Sequence, residues 1–340
     1  MIIALDAMGG DNAPVSTVEG AISAVNGSDN IKVILVGEEN ILHDQLRGKE
    51  YPSERLSVQN SAGAVPMDES PSQALRKRKD SSIAVAVDLV KDGKADAVVS
   101  AGHSGVTMAM SLIKLGKAEG VDRPAIATIM PSLRDPFVLV DAGANVDCEP
   151  QNLLEFAVMG SAYSNAVFDK EEPKVGLLNI GEEDTKGNEL SKAAFTLLKG
   201  SPLNFTGNIE GKEVYAGEAD VVVCDGFTGN ITLKVSEGMA EAIYKMLKIE
   251  ISKSLIGIIG YFLMKPALKK FRKRTDYAEH GGAPLLGIRG TSIISHGRSS
   301  ARAIMNAIKV AEKLASKNVH EMIAEGVKKV KKEETAVVES

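Results

Sequence analysis

The residues that could do chemistry in this chain lie in short glycine-bearing segments, each placed directly after an apolar run typical of a buried strand. Where a strand passes through such a turn into a helix, free backbone N–H groups and the helix dipole favour a bound anion such as phosphate. The candidate substrate-binding residues are Asp6, Gly9, Gly10, Asn12, Gly102, Ser104, Gly105, Asp141, Asn145 and Gly229. The candidate catalytic residues are Lys186, Asn230 and His103.

One of these junctions occurs twice. Residues 95–105 align without gaps to residues 219–229, and the match keeps Ala, Asp, Val, Gly and a Ser or Thr in register. Each copy predicts a strand, a turn and the first turn of a helix, so Ser104 and Asn230 stand where phosphate and oxyanion contacts are expected. We expect the two copies to form the two walls of one cleft.

Several candidates also have a plainer interpretation, which the sequence leaves open. Asp6 and Asp11 would either belong to the cleft or only cap turns, which is a common use of aspartate. Lys186 is the one cation of the polar loop at residues 180–188, where it would clamp a negative charge or remain a solvated surface lysine. His103 adjoins a glycine turn, but a lone histidine is more often a hydrogen-bonded structural residue.

Composition and charge disfavour several classes of protein. A formal net charge of -5 and only 4% aromatic residues, with no tryptophan, argue against a nucleic-acid binder. The five histidines are not closely paired, so no metal is expected, and the absence of Walker A and Gly-x-Gly-x-x-Gly sequences argues against a nucleotide cofactor. With two distant cysteines and no signal-type segment before the first strand, we expect a cytoplasmic protein without cofactors.

The order of the predicted elements indicates the fold class. Apolar strand patterns alternate with amphipathic helix patterns as far as about residue 316. We expect an α/β protein with a mostly parallel sheet and a cleft at the carboxyl ends of its strands. Residues 1–330 would form a single catalytic unit of two interleaved α/β lobes, and residues 331–340 a flexible tail.

Two segments indicate contacts with other molecules. In residues 254–274 a short apolar run is followed by six cations and no acid, which is typical of a helix lying in an anionic membrane interface. The run is too short to span a bilayer, and the alternative is a buried helix of a dimer. The basic run at residues 76–79 is either a solvated face or a docking site for an acidic partner. The expected membrane residues are Leu255, Ile259, Phe262, Leu263, Lys269 and Lys270.

Six glycine-bearing segments carry a resemblance to a known family: DAMGGDNAP at residues 6–14, DAGAN at 141–145, NIGEE at 179–183, DGFTGN at 225–230, HGGAPLLG at 280–287 and HGRS at 296–299. They resemble those of the bacterial phosphate acyltransferases of the PlsX family, and the match covers almost the whole chain. The resemblance implies a homodimeric three-layer α/β/α fold, related to phosphotransacetylases and isopropylmalate-type dehydrogenases.

The resemblance also implies a reaction, the transfer of an acyl group from acyl-[acyl carrier protein] to inorganic phosphate. The acyl-phosphate would pass to a membrane-bound glycerol-3-phosphate acyltransferase for phospholipid synthesis, with the protein held peripherally at the inner face of the cell membrane. Two alternatives remain: a soluble enzyme that uses acyl-coenzyme A, and a non-catalytic membrane scaffold that keeps only the fold.

The chemistry of this reaction suits the candidate residues. A thiol with a pKa of roughly 8.5 is already a good leaving group, so the main tasks are to hold phosphate in line and to stabilise the developing oxyanion. Backbone amides and a few polar side chains suffice for both tasks. Lys186 would act as a charge clamp, and the orienting groups would be Asp6, Asn12, Asp141 and Asn145.

Overall fold

The computed structural model describes residues 1–275 and 281–338, and within them the chain forms one mixed sheet flanked by helices. The strands are β1 (Ile2–Asp6), β2 (Lys32–Gly37), β3 (Leu56–Asn60), β4 (Ala97–Ser100), β5 (Ala125–Met130), β6 (Phe137–Val140), β7 (Val175–Asn179), β8 (Phe205–Glu210), β9 (Val221–Val223), β10 (Ala283–Leu286) and β11 (Thr291–Ile294). The helices are α1 (Val15–Asn26), α2 (Glu39–Leu46), α3 (Pro71–Lys77), α4 (Ser82–Lys91), α5 (Ser104–Leu115), α6 (Pro150–Phe168), α7 (Glu189–Lys199), α8 (Gly226–Ser252), α9 (Leu255–Thr275), α10 (Ala301–Ser316) and α11 (Val319–Val338).

The strand order is β3-β2-β1-β4-β11-β10-β5-β6-β9-β7-β8. The strands from β3 to β11 run parallel to one another, and so do those from β6 to β8. Between these halves, β10 is antiparallel to both of its neighbours, and β5 is antiparallel to β6. Three reversals leave the two halves running in opposite directions. The carboxyl ends of β1, β4 and β11 therefore define a first edge of the sheet, and those of β6, β9 and β7 define a second, opposite edge.

Helices cover both faces of the first half, which gives the three layers. Successive residues of β1 point to opposite faces, so Ile3 packs with α1 and α10 whereas Ala4 packs with α4 and α5. Helices α1 and α10 approach closely, because a Cβ at Gly20 would lie 2.6 Å from Cβ of Ile304. In the second half, α6 and α7 cover one face, while Val214 and the first turns of α8, through Leu233, cover the other.

The predicted α/β class with a mostly parallel sheet is confirmed. Strands β3 and β8 were not predicted, because they lie at the two ends of the sheet and are half exposed, so their sequences lack a continuous apolar run. At the C-terminus α11 continues to Val338, through most of the segment expected to be a flexible tail, and that expectation stays a prediction. The Lys, Glu and Ala residues of α11 are good helix formers.

Helices α8 and α9 are joined at Lys253 and Ser254 and form a helical hairpin with much exposed apolar surface. The segment predicted at 254–274 is therefore helical, with Ser254 Oγ accepting a hydrogen bond from the Gly257 amide at 2.9 Å. Among the described residues, no helix is both long enough and apolar enough to cross a membrane.

Candidate active site

At the first edge, the carboxyl group of Asp6 lies buried beneath two glycine turns. Ser100 Oγ donates to Asp6 Oδ2 at 2.7 Å and accepts from the Gly102 amide at 3.1 Å. A Cβ at Gly9 would come within 2.4 Å of the same carboxylate oxygen, so only glycine permits this approach. Asp6 thus fixes the turns that follow β1 and β4.

The second oxygen of Asp6 has no hydrogen-bond partner in the described part of the chain, although the residue is only 2% exposed. Burial raises the pKa of Asp6, while Ser100, Ser82 and the amides of Met8 and Gly9 act in the opposite direction. Of these groups only Ser100 has hydrogen-bond geometry to the carboxyl group, and the Ser82 hydroxyl is also without a partner. One oxygen of the carboxyl group is therefore hydrogen-bonded, and the other has no partner among the described residues.

Helix α5 begins beside this carboxyl group. His103 is the N-cap residue, and its Nδ1 accepts a weak hydrogen bond of 3.4 Å from the Val106 amide. The amides of Ser104 and Gly105, at the first two helical positions, donate to no group among the described residues. This helix N-terminus leaves two amide donors free, which is the arrangement that an anion-binding helix start requires.

The loop after β11 completes the first edge. The carbonyl oxygen of Gly297 accepts from the Asp11 amide at 2.7 Å, and Asn12 Nδ2 donates to the carbonyl oxygen of Arg298 at 3.3 Å. Arg298 is an exposed cation at this edge, and its charge helps Lys245 lower the pKa of Glu241 on α8. The charge of Arg298 at the first edge therefore acts on a residue of α8, a helix that starts at the second edge.

A cavity of about 150 Å³ opens between these turns. Its polar lining is formed by Asp6, Asp11, His103 and the glycine turns. The apolar lining residues are Met8, Ala64, Val65, Pro66, Met67, Ile83 and Val106.

At the second edge, Asp141 holds a closed loop. Its carboxylate accepts five hydrogen bonds of 2.7–3.0 Å, from the amides of Ile126, Gly143, Ala144 and Asn145 and from Asn145 Nδ2. Burial raises the pKa of Asp141, and these hydrogen bonds oppose the shift. Both Asp141 and Asn145 are thus occupied in shaping the loop.

The N-terminus of α8 packs against this loop. The Gly226 amide donates to the carbonyl oxygen of Asn145 at 2.8 Å, and Asp225 caps the helix by accepting from the Thr228 amide at 2.8 Å. A Cβ at Gly229 would lie 1.9 Å from the carbonyl oxygen of Asp141. Compared with α5, this helix N-terminus has little room for an anion.

Lys186 and Asn230 are exposed at the second edge. Asn230 lies against Gly143, where an added Cβ would meet its Cβ at 3.4 Å. The carbonyl oxygen of Lys186 accepts from Asn179 Nδ2 at 3.1 Å, and its ammonium group makes no ion pair with any described residue. Its predicted role as a charge clamp remains a prediction.

The two copies of the internal repeat share hydrogen bonds as well as a sequence pattern. Asp96 exchanges two hydrogen bonds with Ile2 at the start of β1, and Asp220 makes the same pair with Lys174 before β7. The two copies lie at opposite edges of the sheet, however, so our expectation that they wall one cleft is wrong within a single chain. Antiparallel pairing through β10 and β5, which the sequence did not reveal, is the cause.

The structure thus divides the candidates into two groups. The first edge brings together Asp6, Gly9, Gly10, Asn12, Gly102, His103, Ser104 and Gly105, and the second edge brings together Asp141, Asn145, Gly229, Asn230 and Lys186. Arg298 and Ser100 were not among the predicted site residues, although the HGRS segment at 296–299 is another glycine turn after a strand. His280 lies outside the described residues. No group of three potential metal ligands occurs in the two described ranges.

Two solved phosphotransacetylases share this fold. The EutD phosphotransacetylase from Staphylococcus aureus superposes with a TM-score of 0.62 at 18% identity, and the alignment covers 93% of this chain and 94% of that one. A phosphotransacetylase from Streptococcus pyogenes gives the same TM-score and coverage at 20% identity. The chain therefore has a phosphotransacetylase-type α/β fold.

Sequence comparison identifies the family. The model of the Fatty acid synthesis protein family matches residues 1–322. A protein named phosphate acyltransferase from Thermodesulfovibrio yellowstonii is 55% identical over 96% of this chain and 94% of its own length. A second of that name, from Syntrophotalea carbinolica, is 49% identical over 95% and 93%. The chain belongs to this family and is an acyltransferase, which confirms the resemblance.

Proposed function

We propose that the protein transfers a fatty acyl group from acyl-[acyl carrier protein] to inorganic phosphate. A phosphate oxygen attacks the thioester carbonyl carbon, the C–S bond breaks, and the thiolate takes a proton to leave as the carrier thiol. The products are acyl-phosphate and free carrier. The names of the relatives support phosphate as the acceptor.

The observation that carries this proposal is the open turn at the first edge. The free amides of Ser104 and Gly105 offer two fixed donors at the positive end of α5, and Arg298 adds an exposed cation at the same edge. Asp6 and Ser100 hold the turn in place without occupying it. Such preorganised donors bind phosphate and stabilise the oxyanion that forms at the thioester carbonyl.

We further propose that a homodimer completes the site. On α8 the exposed residues Ile231, Val235, Met239 and Ile243 recur every four positions and form an apolar stripe that starts beside Asn230. If two copies of α8 pack antiparallel about a two-fold axis at the stripe's centre, near residue 237, position 230 of one copy lies level with Tyr244 of the other.

That pairing would bring together candidate residues that lie at opposite edges of the sheet in a single chain. Tyr244 is within one turn of Glu241, which feels the charge of Arg298, so Asn230 of the partner subunit would approach the first edge. Lys186, which lies at the same edge of its own subunit as Asn230, would follow it. The catalytic candidates His103, Lys186 and Asn230 would then face one another across the dimer.

The helical hairpin suits attachment to a membrane surface. Two exposed residues near its turn, Leu255 and Ile256, and Leu263 farther along α9 are each about four-fifths exposed, and Lys269 and Lys270 follow. A few inserted side chains, at roughly 25 cal/mol per Å² of buried apolar surface, and about 1 kcal/mol per cation give reversible binding. Acyl-phosphate would then be released where a membrane glycerol-3-phosphate acyltransferase can take it.

The direct test is an assay of phosphate-dependent acyl-phosphate formation with acyl-[acyl carrier protein] and acyl-coenzyme A as separate donors. We expect turnover with phosphate and a higher kcat/KM for the carrier-bound donor. A preference for acyl-coenzyme A would identify the soluble alternative. Absence of phosphate-dependent turnover with either donor would leave the scaffold alternative.

A further inference from the structure

The basic run at residues 76–79 stands at the C-terminal end of α3 and continues just beyond it. Arg76, Lys77 and Lys79 are exposed and make no ion pair with any residue of the described ranges. Arg78 is different, because its Nε lies 2.9 Å from Glu69 Oε2. The run thus presents three unpaired cations within four positions, in a protein whose net charge is -5.

This run lies beside the first-edge cavity. Helix α3 packs on α5, and Cγ of Pro71 is 3.2 Å from where a Cβ of Gly105 would stand, next to the open N-terminus of α5. The ion pair between Arg78 and Glu69 holds the basic end of α3 close to the loop that lines the cavity, because Glu69 is only two residues after Met67. Since α3 has seven residues, its two ends are only about 10 Å apart.

The residues at the cavity mouth suit a ligand with a long, uncharged arm that carries an apolar chain. Met67 lines the cavity yet is 60% exposed, an exposure that is otherwise unfavourable for a large apolar side chain. The lining contains both apolar and polar residues, and no Lys or Arg of the described ranges lines the cavity. A thioester on a flexible arm matches this lining better than a free anion does.

We propose that an acidic carrier protein docks on Arg76, Lys77 and Lys79 and passes its thioester arm over Met67 into the first-edge cavity. This assignment rests on the proposed acyl transfer, and it selects the α3 run over the basic part of α9 as the carrier site. Opposite charges at an exposed surface act mainly on encounter and orientation, so the contact affects KM more than kcat.

The test compares two matched charge reversals. One variant carries Arg76→Glu, Lys77→Glu and Lys79→Glu. The control carries Lys309→Glu, Lys329→Glu and Lys332→Glu, three exposed lysines without ion pairs among the described residues and away from the cavity. Each is assayed with acyl-[acyl carrier protein] and with the same acyl group on pantetheine alone.

We expect the α3 variant to raise KM for the carrier-bound donor about tenfold, with kcat and the KM for acyl-pantetheine unchanged. The control should match the wild type with both donors. An unchanged carrier KM in the α3 variant, or an equal rise in the control, overturns the docking site. Loss of binding to phosphatidylglycerol vesicles with an unchanged carrier KM would instead make the run a membrane contact and also overturn it.

Binding separates this inference from the proposed reaction. The affinity for a carrier whose thioester is replaced by a stable amide should fall about tenfold in the α3 variant, even if no acyl transfer is detected with any donor. Met67→Trp, at the exposed mouth, tests the path of the arm. It should lower kcat/KM with both donors about tenfold, and unchanged values with both would overturn the proposed entry.

Discussion

Asp6 and Asp141 occupy equivalent positions in the two halves of the molecule. Asp6 is the last residue of β1 and Asp141 directly follows β6; each of these strands pairs in parallel with one copy of the repeated strand, and each carboxyl group lies beneath a glycine of that copy. A Cβ at Gly102 would come 3.3 Å from Asp6 Oδ2, and one at Gly226 would come 2.7 Å from Asp141 Oδ2. Asp141 is saturated with hydrogen bonds and Asp6 is not, so only the first turn remains open to a ligand.

The first prediction concerns the charge on Asp6. Because burial raises its pKa, the folded protein binds more protons than the unfolded chain between the ordinary Asp pKa and the raised one. Wild-type stability therefore falls as the pH rises through that window. Asp6→Asn lacks this dependence, so its free energy of unfolding relative to wild type should increase with pH and then level off. Urea unfolding from about pH 4 to pH 8 measures it, and a constant difference contradicts the prediction.

The second prediction concerns Asp141. In Asp141→Asn, the Nδ2 group would face amides that now donate to a carboxylate oxygen, so we expect a loss of about 3 kcal/mol in unfolding free energy. The matched control is Asp225→Asn, which keeps an N-cap acceptor for Thr228 and should cost less than about 1 kcal/mol. Equal losses in denaturant melts would show that the Asp141 hydrogen bonds do not stabilise the loop.

The third prediction separates two roles of His103. His103→Ala removes the N-cap and should cost about 1 kcal/mol of stability, whereas His103→Asn keeps a capping acceptor and should be nearly as stable as wild type. If the imidazole acts in the reaction, both variants lose turnover, by about a hundredfold. Recovery of turnover in the Asn variant would reduce His103 to a helix cap.

The fourth prediction tests the composite site. Lys186→Ala and Asn230→Ala should each lower turnover on the order of a hundredfold while the fold stays intact. Mixing His103→Ala with Lys186→Ala subunits under exchange should restore about a quarter of wild-type turnover, because half of the dimers are mixed and each has one complete site. Without recovery in demonstrably mixed dimers, the two edges do not share a site.

The fifth prediction concerns the hairpin. Leu263→Glu or Ile259→Glu, at positions that are 79% and 62% exposed, should release the protein from anionic vesicles at low salt. Activity in solution and the dimer should survive these changes. Sedimentation with vesicles and size-exclusion chromatography report the two properties separately. Variants that fall apart as dimers would make this surface a subunit interface instead.

Local pattern was enough to predict many elements of this fold. Helix α5 and strands β5 and β6 have continuous apolar runs or clear helical spacing, and their bounds were predictable. Whether a strand pairs parallel or antiparallel with its neighbours has no such signature in the local sequence. Residues 283–286 contain a proline and lie between glycines, which hides a strand, yet their antiparallel pairing decides which site residues meet.

The types of residue that form the site were predictable from the sequence, but which of them contact one another was not. Asp6 and Gly102 are both recognisable at strand ends, but Ser100, which joins them, is separated from Asp6 by 94 positions and reads as an ordinary strand residue. Arg298 belongs to a short segment whose position at the first edge depends on β11 pairing with β4. Such contacts between distant parts of a chain require the fold.

The position of β10 and β11 also has a consequence for biosynthesis. These two strands are the last to be made, yet they fill the centre of the sheet between β4 and β5. Until β10 and β11 leave the ribosome, β4 and β5 each lack one strand partner, and unpaired backbone of this kind favours association with other chains. A nascent chain that stops before residue 283 should therefore depend on chaperones, and the two halves should consolidate together only after synthesis is nearly complete.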